Sequence, residues 1–486
     1  MSAMNYEMIL SIDGKVLAVE AMFMLPALII SGLEQDWGAV VGFAVAIAAA
    51  LVPGVPALLR KPRRSDIYAR DGLVAVGLAW LLVSLVGGLP FLVSGAMPNF
   101  FDAFFETASG FTTTGATILN DVEALGRGLL YWRSFTHWLG GMGVLVFLLV
   151  LNPVSGSNSG ETMHLLRAES PGVRITKLVP RMSQSAGILY MLYITLTLVQ
   201  IVLLILNGEP AFDAVTLAFG TAGTGGFAVR NDSIASYSAG TQWIITLFMF
   251  LFSVNFNVYF LLTLRQVKKA LRNEELLCFL GLIGVSVAVI LFNTRHYFQG
   301  FWEGLRHVTF SVLSILSTSG FVTVDFDQWP QLSRTVLVLL MFCGACAGST
   351  GGGLKVVRVQ LIYKAAYRSV RKAMRPNAVR LIHQEGEIVD DKTVASVSAY
   401  ALAYFLLIAL AALLISPDGF SLETNFTAAL SCMSNVGPGM DAVGAVRNYS
   451  GFSNFSKLVL TVTMLTGRLE IYPMLALFFP SSWKKR

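Results

Sequence analysis

Charged residues are scarce in this sequence. Lys, Arg, Asp and Glu make up 13% of its 486 residues, whereas hydrophobic residues make up 55% and the mean hydropathy is +0.66. Because soluble globular domains carry about 25% charged residues, this shortage excludes a soluble protein and predicts an integral membrane protein. The start of the chain also lacks the charged segment, short apolar core and A-x-A site of a cleaved signal peptide, so we expect none.

Cysteine is nearly absent, which weakens any metal or redox interpretation. The four cysteines, Cys278, Cys343, Cys346 and Cys432, all lie in apolar runs. Cys343 and Cys346 form a C-x-x-C pattern, but without a second pair this favours packed thiols over a metal or redox centre. The five histidines show no metal-ligand spacing, and we expect no cofactor bound by this chain.

Motifs of catalysis are missing as well. The sequence has no nucleotide-binding loop, no Ser/His/Asp set and no phosphate-cradling pattern. An intramembrane enzyme would need a buried nucleophile beside a base. Ser349 and Thr350 have no nearby His or Asp in sequence, so we expect that the protein is not an enzyme.

Apolar runs are abundant instead. A bilayer span needs about 20 apolar residues, and roughly ten runs come close to that length. They lie near residues 16–32, 38–59, 72–95, 130–151, 183–206, 241–264, 275–293, 332–347, 394–415 and 455–479.

Basic residues are concentrated between alternate pairs of these runs, in stretches 60–70, 153–181, 265–272, 358–380 and 484–486. The positive-inside rule places these stretches in the cytoplasm, and both chain termini with them. Loop topology thereby explains the formal net charge of +6, and we expect no nucleic-acid partner.

Four outward stretches share one pattern, in which a short aromatic-rich half-helix with an acid precedes a Ser/Thr/Gly cluster. They are residues 99–117, 211–228, 301–323 and 422–439. The central glycines of the clusters are Gly115, Gly225, Gly320 and Gly437. The pattern predicts an all-α fold with two leading spans in 1–65. Four span–loop–span units follow, in 66–180, 181–270, 271–392 and 393–486, all around one pore.

The repeated loops favour an ion-coordinating filter over four surface turns. Irregular backbone inside a membrane is tolerated only where it lines a cavity or path. Four loops around one axis can offer carbonyl and hydroxyl oxygens, and half-helices with their carboxyl ends inward add partial negative charge. Physical chemistry alone therefore indicates a small monovalent cation. Four acids of the half-helices could concentrate cations or stabilise helix starts: Asp102, Glu106, Asp213 and Glu303.

The ordered motifs resemble the Trk/Ktr/HKT superfamily of potassium transporters. The resemblance covers essentially the whole chain and rests on HWLGGMGVLVF (137–147), CAGSTGGGLKVVR (346–358), SNVGPG (434–439) and TGRLEIYP (466–473). The leading pair of spans, which Ktr membrane subunits lack, points to the bacterial Trk-type membrane subunit. The four units look like degenerate copies of the potassium-channel unit with its T-V-G-Y-G filter.

The resemblance implies which residues line the filter, and these are also the expected metal site, for potassium only. They are Thr113, Thr114 and Gly115; Gly223, Thr224 and Gly225; Thr318, Ser319 and Gly320; and Asn435, Val436 and Gly437. Plant relatives with serine at the first filter glycine transport sodium, so Gly115 implies a preference for potassium.

The resemblance also implies a location and partners. It implies a bacterial inner-membrane protein, a homodimer and a cytosolic nucleotide-binding regulatory subunit like TrkA. The basic segments 153–181 and 358–392 are longer than a hairpin needs. They are candidates for docking this subunit or for binding anionic membrane lipids.

A cluster of small residues interrupts the run between 332 and 366. It consists of Cys346, Ala347, Gly348, Ser349, Thr350, Gly351, Gly352 and Gly353. Such a cluster cannot hold a helix, since each glycine costs about 1 kcal/mol relative to alanine. One interpretation is a kink packed against a neighbouring helix; the resemblance implies a gate loop under the filter. Lys355 at its end either belongs to the gate or extends to the cytoplasmic interface.

Arg468 lies inside the last predicted span, where an arginine costs roughly 2.5–3.5 kcal/mol on insertion scales. Glu470 is two residues away and so on a different helix face. A pore-facing position is favoured over an interfacial or structurally paired one, and we predict that Arg468 and the loop gate the pore together. The alternative mechanism is a potassium symporter coupled to sodium or protons, because broken helices also occur in secondary transporters.

Overall fold

The computed structural model describes residues 4–60, 62, 68–143, 182–377 and 380–483. These residues are mostly helical, and the only strands among them form one antiparallel hairpin, β1 (Ile382–Gln384) and β2 (Glu387–Val389). The predicted all-α membrane fold is confirmed. The linker 153–181, most of the basic stretch 60–70 and the terminal 484–486 lie outside the described residues.

The helices follow one another along the chain in the predicted order. They are α1 (Tyr6–Leu33), α2 (Trp37–Leu59), α3 (Ala69–Val93), α4 (Phe100–Phe111), α5 (Arg127–Gly141), α6 (Met182–Leu206), α7 (Ala211–Ala222), α8 (Ala239–Ser253), α9 (Phe256–Thr263), α10 (Val267–Leu271), α11 (Glu274–Asn293), α12 (Phe301–Leu316), α13 (Gln331–Cys343), α14 (Val356–Met374), α15 (Asp391–Ile415), α16 (Leu422–Ser434), α17 (Asn454–Arg468), α18 (Tyr472–Phe478) and α19 (Pro480–Trp483). Short 3-10 turns occupy Phe326–Gln328, Ser416–Asp418 and Asp441–Val443.

Short polar side chains begin many of these helices. Asp36 accepts a hydrogen bond from the Ala39 N–H at the start of α2, and Ser238 accepts one from the Thr241 N–H at the start of α8. Asn273 and Ser453 cap α11 and α17 in the same way. Such caps satisfy backbone donors that a helix start leaves unpaired.

Six described helices are long and apolar enough to cross a membrane: α1, α2, α3, α6, α11 and α15. A seventh results if α8 and α9, bent by 87° at their junction, form one broken span. The sequence predicted roughly ten spans. The difference lies in the second helix of each unit, which is shorter than a span in the described residues.

The second helices α5, α8, α13 and α17 have 15, 15, 13 and 15 residues. Three of them are followed by a break and a further helix, so the predicted continuous spans 241–264 and 455–479 are wrong. After α17 the chain turns at Glu470 and Ile471, whose positive φ angles of 53° and 73° end the helix. The end of the predicted span 130–151 lies outside the described residues.

The half-helices α4, α7, α12 and α16 have 12, 12, 16 and 13 residues and are too short to span, as predicted. Each packs against the second helix of its own unit. Each second helix also packs against the half-helix of the next unit: α5 on α7, α8 on α12, α13 on α16, and α17 back on α4. The four units therefore form a closed ring.

The leading pair packs outside this ring through close backbone contacts. Helix α1 packs against α2, α3 and α5, and α2 packs against α3. A Cβ added to Gly42 of α2 would lie 2.7 Å from the Pro90 carbonyl oxygen of α3, so only glycine permits this approach. By contrast, Gly284 of α11 faces open space.

We expect Gly42→Ala to lower the thermal midpoint of the purified protein by several degrees. Forcing extra volume into a packed helix contact costs about 1–3 kcal/mol, and here the obstacle is backbone. The matched control Gly284→Ala should leave the midpoint unchanged or raise it, since alanine is the better helix former. Equal midpoints for both variants in a tryptophan-fluorescence melt would contradict the close α2–α3 contact.

Candidate ion-coordinating site

All four half-helices end in the same turn. One residue in each turn has left-handed backbone: Thr113 (φ 55°), Thr224 (54°), Thr318 (61°) and Asn435 (56°). The next N–H reaches back five residues to a helix carbonyl, at 2.9 Å for Thr114, 2.8 Å for Gly225, 2.9 Å for Ser319 and 3.0 Å for Val436. This is the hydrogen bond of a Schellman turn. Threonine is strained in this backbone region because it is β-branched, so the surrounding packing must hold the turns.

Two residues after each left-handed residue stands a glycine with positive φ: Gly115 (77°), Gly226 (82°), Gly320 (73°) and Gly437 (102°). Each of these ring glycines faces a carbonyl of the next loop. An added Cβ would lie 1.9 Å from the oxygen of Gly225, 2.0 Å from that of Ser319, 2.2 Å from that of Val436 and 2.7 Å from that of Thr114, respectively. The contacts run in chain order and close on themselves, so four backbone segments form one ring in a common register.

The second loop differs by one residue from the prediction. Its ring glycine is Gly226, whereas Gly225 holds the position of Thr114, Ser319 and Val436. Gly223, predicted as the first filter residue of this loop, is the helix cap and precedes the left-handed Thr224. Two adjacent glycines made either register compatible with the spacing, and the end of α7 at Ala222 selects the later one.

A cavity of about 140 Å³ lies directly against the ring, and all four ring glycines line it. Residues that follow the glycines along the chain, such as Ala116, Phe227 and Val322, form its walls. Arg133, Arg230 and Arg447 also line it. The cavity therefore reaches the ring from the side on which the loops lead away from the half-helices.

The four half-helix acids are absent from the lining of this cavity among the described residues. Asp102 pairs with Lys457 at 2.6 Å, Glu106 with Arg133 at 2.7 Å, and Asp213 with Arg230 at 3.4 Å. Glu303 accepts the N–H of Gln299 at 3.1 Å. Each acid therefore has a hydrogen-bond or ion-pair partner in the protein.

Buried polar contacts hold neighbouring loops together. Glu106 accepts the Ile118 N–H at 2.9 Å, and its partner Arg133 donates to the Ala228 carbonyl at 3.0 Å, so this pair ties the first loop to the second. His137 is 2.7 Å from the Gly110 carbonyl through Nδ1 and accepts the Phe227 N–H at Nε2. Sequence reasoning missed the Glu106–Arg133 pair, because 27 positions separate its members.

Asn435 ties the fourth loop to the first. Its Nδ2 donates to the Thr114 hydroxyl at 2.9 Å and to the Met464 carbonyl at 3.0 Å. The side chain is fully buried, and its left-handed backbone is one that asparagine tolerates better than most residues. An asparagine where the other three loops have threonine is therefore explained by this cross-loop bond.

The predicted gate loop lies against the residues that precede the ring glycines. The Gly352 N–H donates to the Thr318 hydroxyl at 2.7 Å. A Cβ on Gly351 would lie 2.7 Å from the Ser317 carbonyl, and one on Gly352 would lie 2.3 Å from the Ser434 carbonyl. The loop thus contacts the third and fourth loops on the opposite side of the ring from the cavity.

Arg468 joins the gate loop to the first unit. Its Nη1 donates to the Thr350 carbonyl at 2.8 Å, and its Nη2 donates to the carbonyls of Gly140 and, at 2.8 Å, Gly141. Glu470 lies beyond the end of α17, in the turn, and pairs with Arg358. Lys355 donates to the Gly351 carbonyl within the loop. Both predicted cations therefore bind backbone carbonyls of the loop.

Fold and site together define a class: a polytopic membrane protein whose four half-helices converge on one ring of backbone glycines and carbonyls. Residues 40–485 match the family model described as "TrkH: Cation transport protein". The chain belongs to the TrkH family, which confirms the resemblance found from sequence.

Named relatives of similar length cover nearly the whole chain. The Trk system potassium uptake protein TrkH of Halomonas elongata is 34% identical over 496 residues, which cover 99% of this chain and 100% of the relative. The protein of the same name from Escherichia coli is 33% identical over 434 residues, or 87% and 88% of the two chains. The crystal structure of the potassium transporter TrkH from Vibrio parahaemolyticus matches with a TM-score of 0.86 and 29% identity, covering 99% of this chain and 100% of that one.

Proposed function

We propose that this protein takes up potassium across the bacterial inner membrane through one channel-like pore. The observation that carries the proposal is the closed ring in which each of four glycines faces a carbonyl of the next loop. Relatives named as potassium uptake proteins support the choice of ion. Helices long enough to cross a membrane, with basic stretches that alternate with the apolar runs along the sequence, support multiple crossings with both termini in the cytoplasm.

Potassium coordination is assigned to the loops at the ring. Their carbonyl oxygens would replace part of the hydration shell of the ion, and the four half-helices direct partially negative carboxyl ends toward them. For the first, third and fourth loops the proposal keeps the triplets predicted from the sequence. In the second loop Gly226 takes the role that the sequence assigned to Gly225.

Serine at the ring glycines should reduce the preference for potassium over sodium. A side chain at Gly115 or Gly226 would displace the facing carbonyl of the next loop, because no room exists for a Cβ. Single serine variants at each of the four positions would be compared for rubidium and sodium uptake into liposomes. An unchanged potassium-to-sodium uptake ratio in all four serine variants would contradict the assignment of these loops as the filter.

The gate is assigned to the loop 346–353 with Lys355 and Arg468. An ion leaving the ring on the side away from the cavity would meet the loop and the guanidinium. At about 6 Å and an effective dielectric constant of 20, Coulomb's law gives roughly 3 kcal/mol of repulsion, or about two powers of ten in rate. The bonds of Arg468 to Thr350, Gly140 and Gly141 support a closed arrangement across the ring.

Deleting 347–352, or replacing Arg468 by alanine, should raise rubidium flux without changing ion preference. The first change removes the obstruction and the second removes the charge, whereas the four ring glycines and the carbonyls that they face are unchanged in sequence. The matched control is Arg295→Ala. Arg295 is exposed and lies over the ring of Phe292, and its replacement should leave flux unchanged. If flux falls in both gate variants while expression and elution volume stay normal, these groups support the pore and do not gate it.

The proposed partners are a second copy of this chain, a cytosolic nucleotide-binding subunit like TrkA, and membrane lipids. Helix α14 forms the start of the basic segment 358–392, beginning two residues before it, and exposes an apolar stripe together with its charges. The stripe consists of Tyr363, Tyr367, Val370 and Met374, which are 70%, 45%, 60% and 68% exposed. An exposed apolar stripe marks an interaction surface, and it supports docking at this segment.

Removing 370–390 and, separately, 155–175 should abolish co-purification with the cytosolic subunit. Both segments are basic and longer than a connection requires. Vesicle flotation with and without anionic lipid would separate lipid binding from protein docking. If the complex survives both deletions, these segments are not the dock.

A potassium symporter coupled to sodium or protons is the second candidate. The breaks after α8, α13 and α17 favour it, because discontinuous helices are also a feature of secondary transporters. The two candidates share the ring and the gate, and they differ in whether flux requires the gradient of a second ion.

A further inference from the structure

One buried carboxylate outside the ring contacts both the start of the gate loop and the helix that follows it. Glu275, in the first turn of α11, is 3% exposed. Its Oε1 accepts the Ala347 N–H at 2.6 Å and the Val357 N–H at 3.2 Å, and its Oε2 accepts the Asn255 side-chain amide at 3.3 Å. A single side chain thus joins the start of the loop, the helix after the loop and the break between α8 and α9.

The same junction is reinforced by backbone bonds that lack charge. The Cys346 N–H donates to the Ser253 carbonyl at 3.1 Å, and the Phe256 N–H donates to the Gly348 carbonyl at 3.1 Å. Because hydrogen bonds to an ionised acceptor are roughly twice as strong as neutral ones, Glu275 is the strongest single attachment of the loop to its surroundings on this side.

The neighbouring residues of α11 face the cytoplasmic hairpin. Glu274 pairs with Lys364 of α14 at 2.6 Å, and Lys364 also donates to the His383 carbonyl at 2.8 Å and to the Gln384 side chain at 2.9 Å, both in β1. Asn273 donates to Glu385 in the hairpin turn. Within the consecutive residues 273–275, Asn273 contacts the hairpin directly, Glu274 is linked to it through Lys364, and Glu275 contacts the gate loop.

We propose that Glu275 is the positioning residue that holds the gate loop closed, and that displacement of the hairpin Ile382–Val389 reaches the loop through Asn273–Glu275. The proposal rests on the proposed gating role of 346–353. Hydrogen bonds weaken steeply as donors move out of line or range. A small shift of the α11 start, pulled through Lys364, would therefore release Ala347 and Val357 together. The partner that acts in this way is a protein that docks on the cytoplasmic hairpin.

The test is a double-mutant cycle on rubidium flux in proteoliposomes without any partner. Glu275→Ala removes all three hydrogen bonds of the carboxylate and should raise flux by at least about tenfold, the effect expected for the loss of even one bond to a buried charged acceptor, with the potassium-to-sodium ratio unchanged. Glu275→Gln keeps one carbonyl acceptor and should give a smaller rise. Lys364→Ala should raise flux in the native background but add nothing in the Glu275→Ala background.

Arg368→Ala is the matched control for Lys364→Ala. It lies one helical turn further along α14, and its ion pair with Asp391 is exposed and does not reach α11. Deleting 347–352 serves as the reference for an open gate. If that deletion leaves flux unchanged, the gating role itself fails. If it raises flux but Glu275→Ala does not, or if the effects of Glu275 and Lys364 simply add, the linkage is contradicted and the gate assignment stands. If the alanine variant does not fold, the rubidium flux of the glutamine variant, alone and combined with Lys364→Ala, distinguishes the same outcomes.

Discussion

The contact between each ring glycine and the carbonyl of the next loop is the constraint on which the structure depends. A Cβ at any of the four positions would overlap a backbone oxygen or come within 2.7 Å of it. The four loops can therefore share one register only if each carries glycine there. The contact also fixes where the half-helices must end, because the left-handed residue stands two positions before the glycine in every loop. Helix ends, loop register and ring closure are thus one geometric condition.

Much of the remaining polar structure holds strained loops in place. Three β-branched threonines adopt left-handed backbone, at a cost of order 1–3 kcal/mol each. Glu106 and Arg133 tie the first loop to the second, and Asn435 ties the fourth to the first. The gate loop adds the Gly352–Thr318 bond beneath the third. The backbone carbonyls and glycines of the ring can keep defined distances from one another because buried side chains of neighbouring units hold the loops in place.

The fourfold repetition allowed the architecture to be predicted from the sequence. The contacts between residues far apart in the chain could not be predicted. Four copies of a half-helix with a Ser/Thr/Gly cluster predicted the units and three of the four ring glycines. The second loop was misplaced by one residue, because the adjacent Gly225 and Gly226 are equivalent by spacing and differ only in where α7 ends. The breaks after α8 and α17 were missed because apolar runs continue on both sides of Asn255 and of Glu470, whereas the second turn comes from backbone angles at residues such as Ile471. Glu275 carried no sequence signal, since its partners are 72 and 82 positions away.

The central claim is that ions pass the ring through a continuous pore, driven by their own gradient. Its most direct test is current recording from the purified protein in a planar bilayer. The bath would contain a potassium gradient, no sodium and equal pH on both sides. The account predicts unitary current steps that reverse near the potassium equilibrium potential. Potassium movement that occurs only after a sodium or proton gradient is added, with no unitary steps, would contradict it.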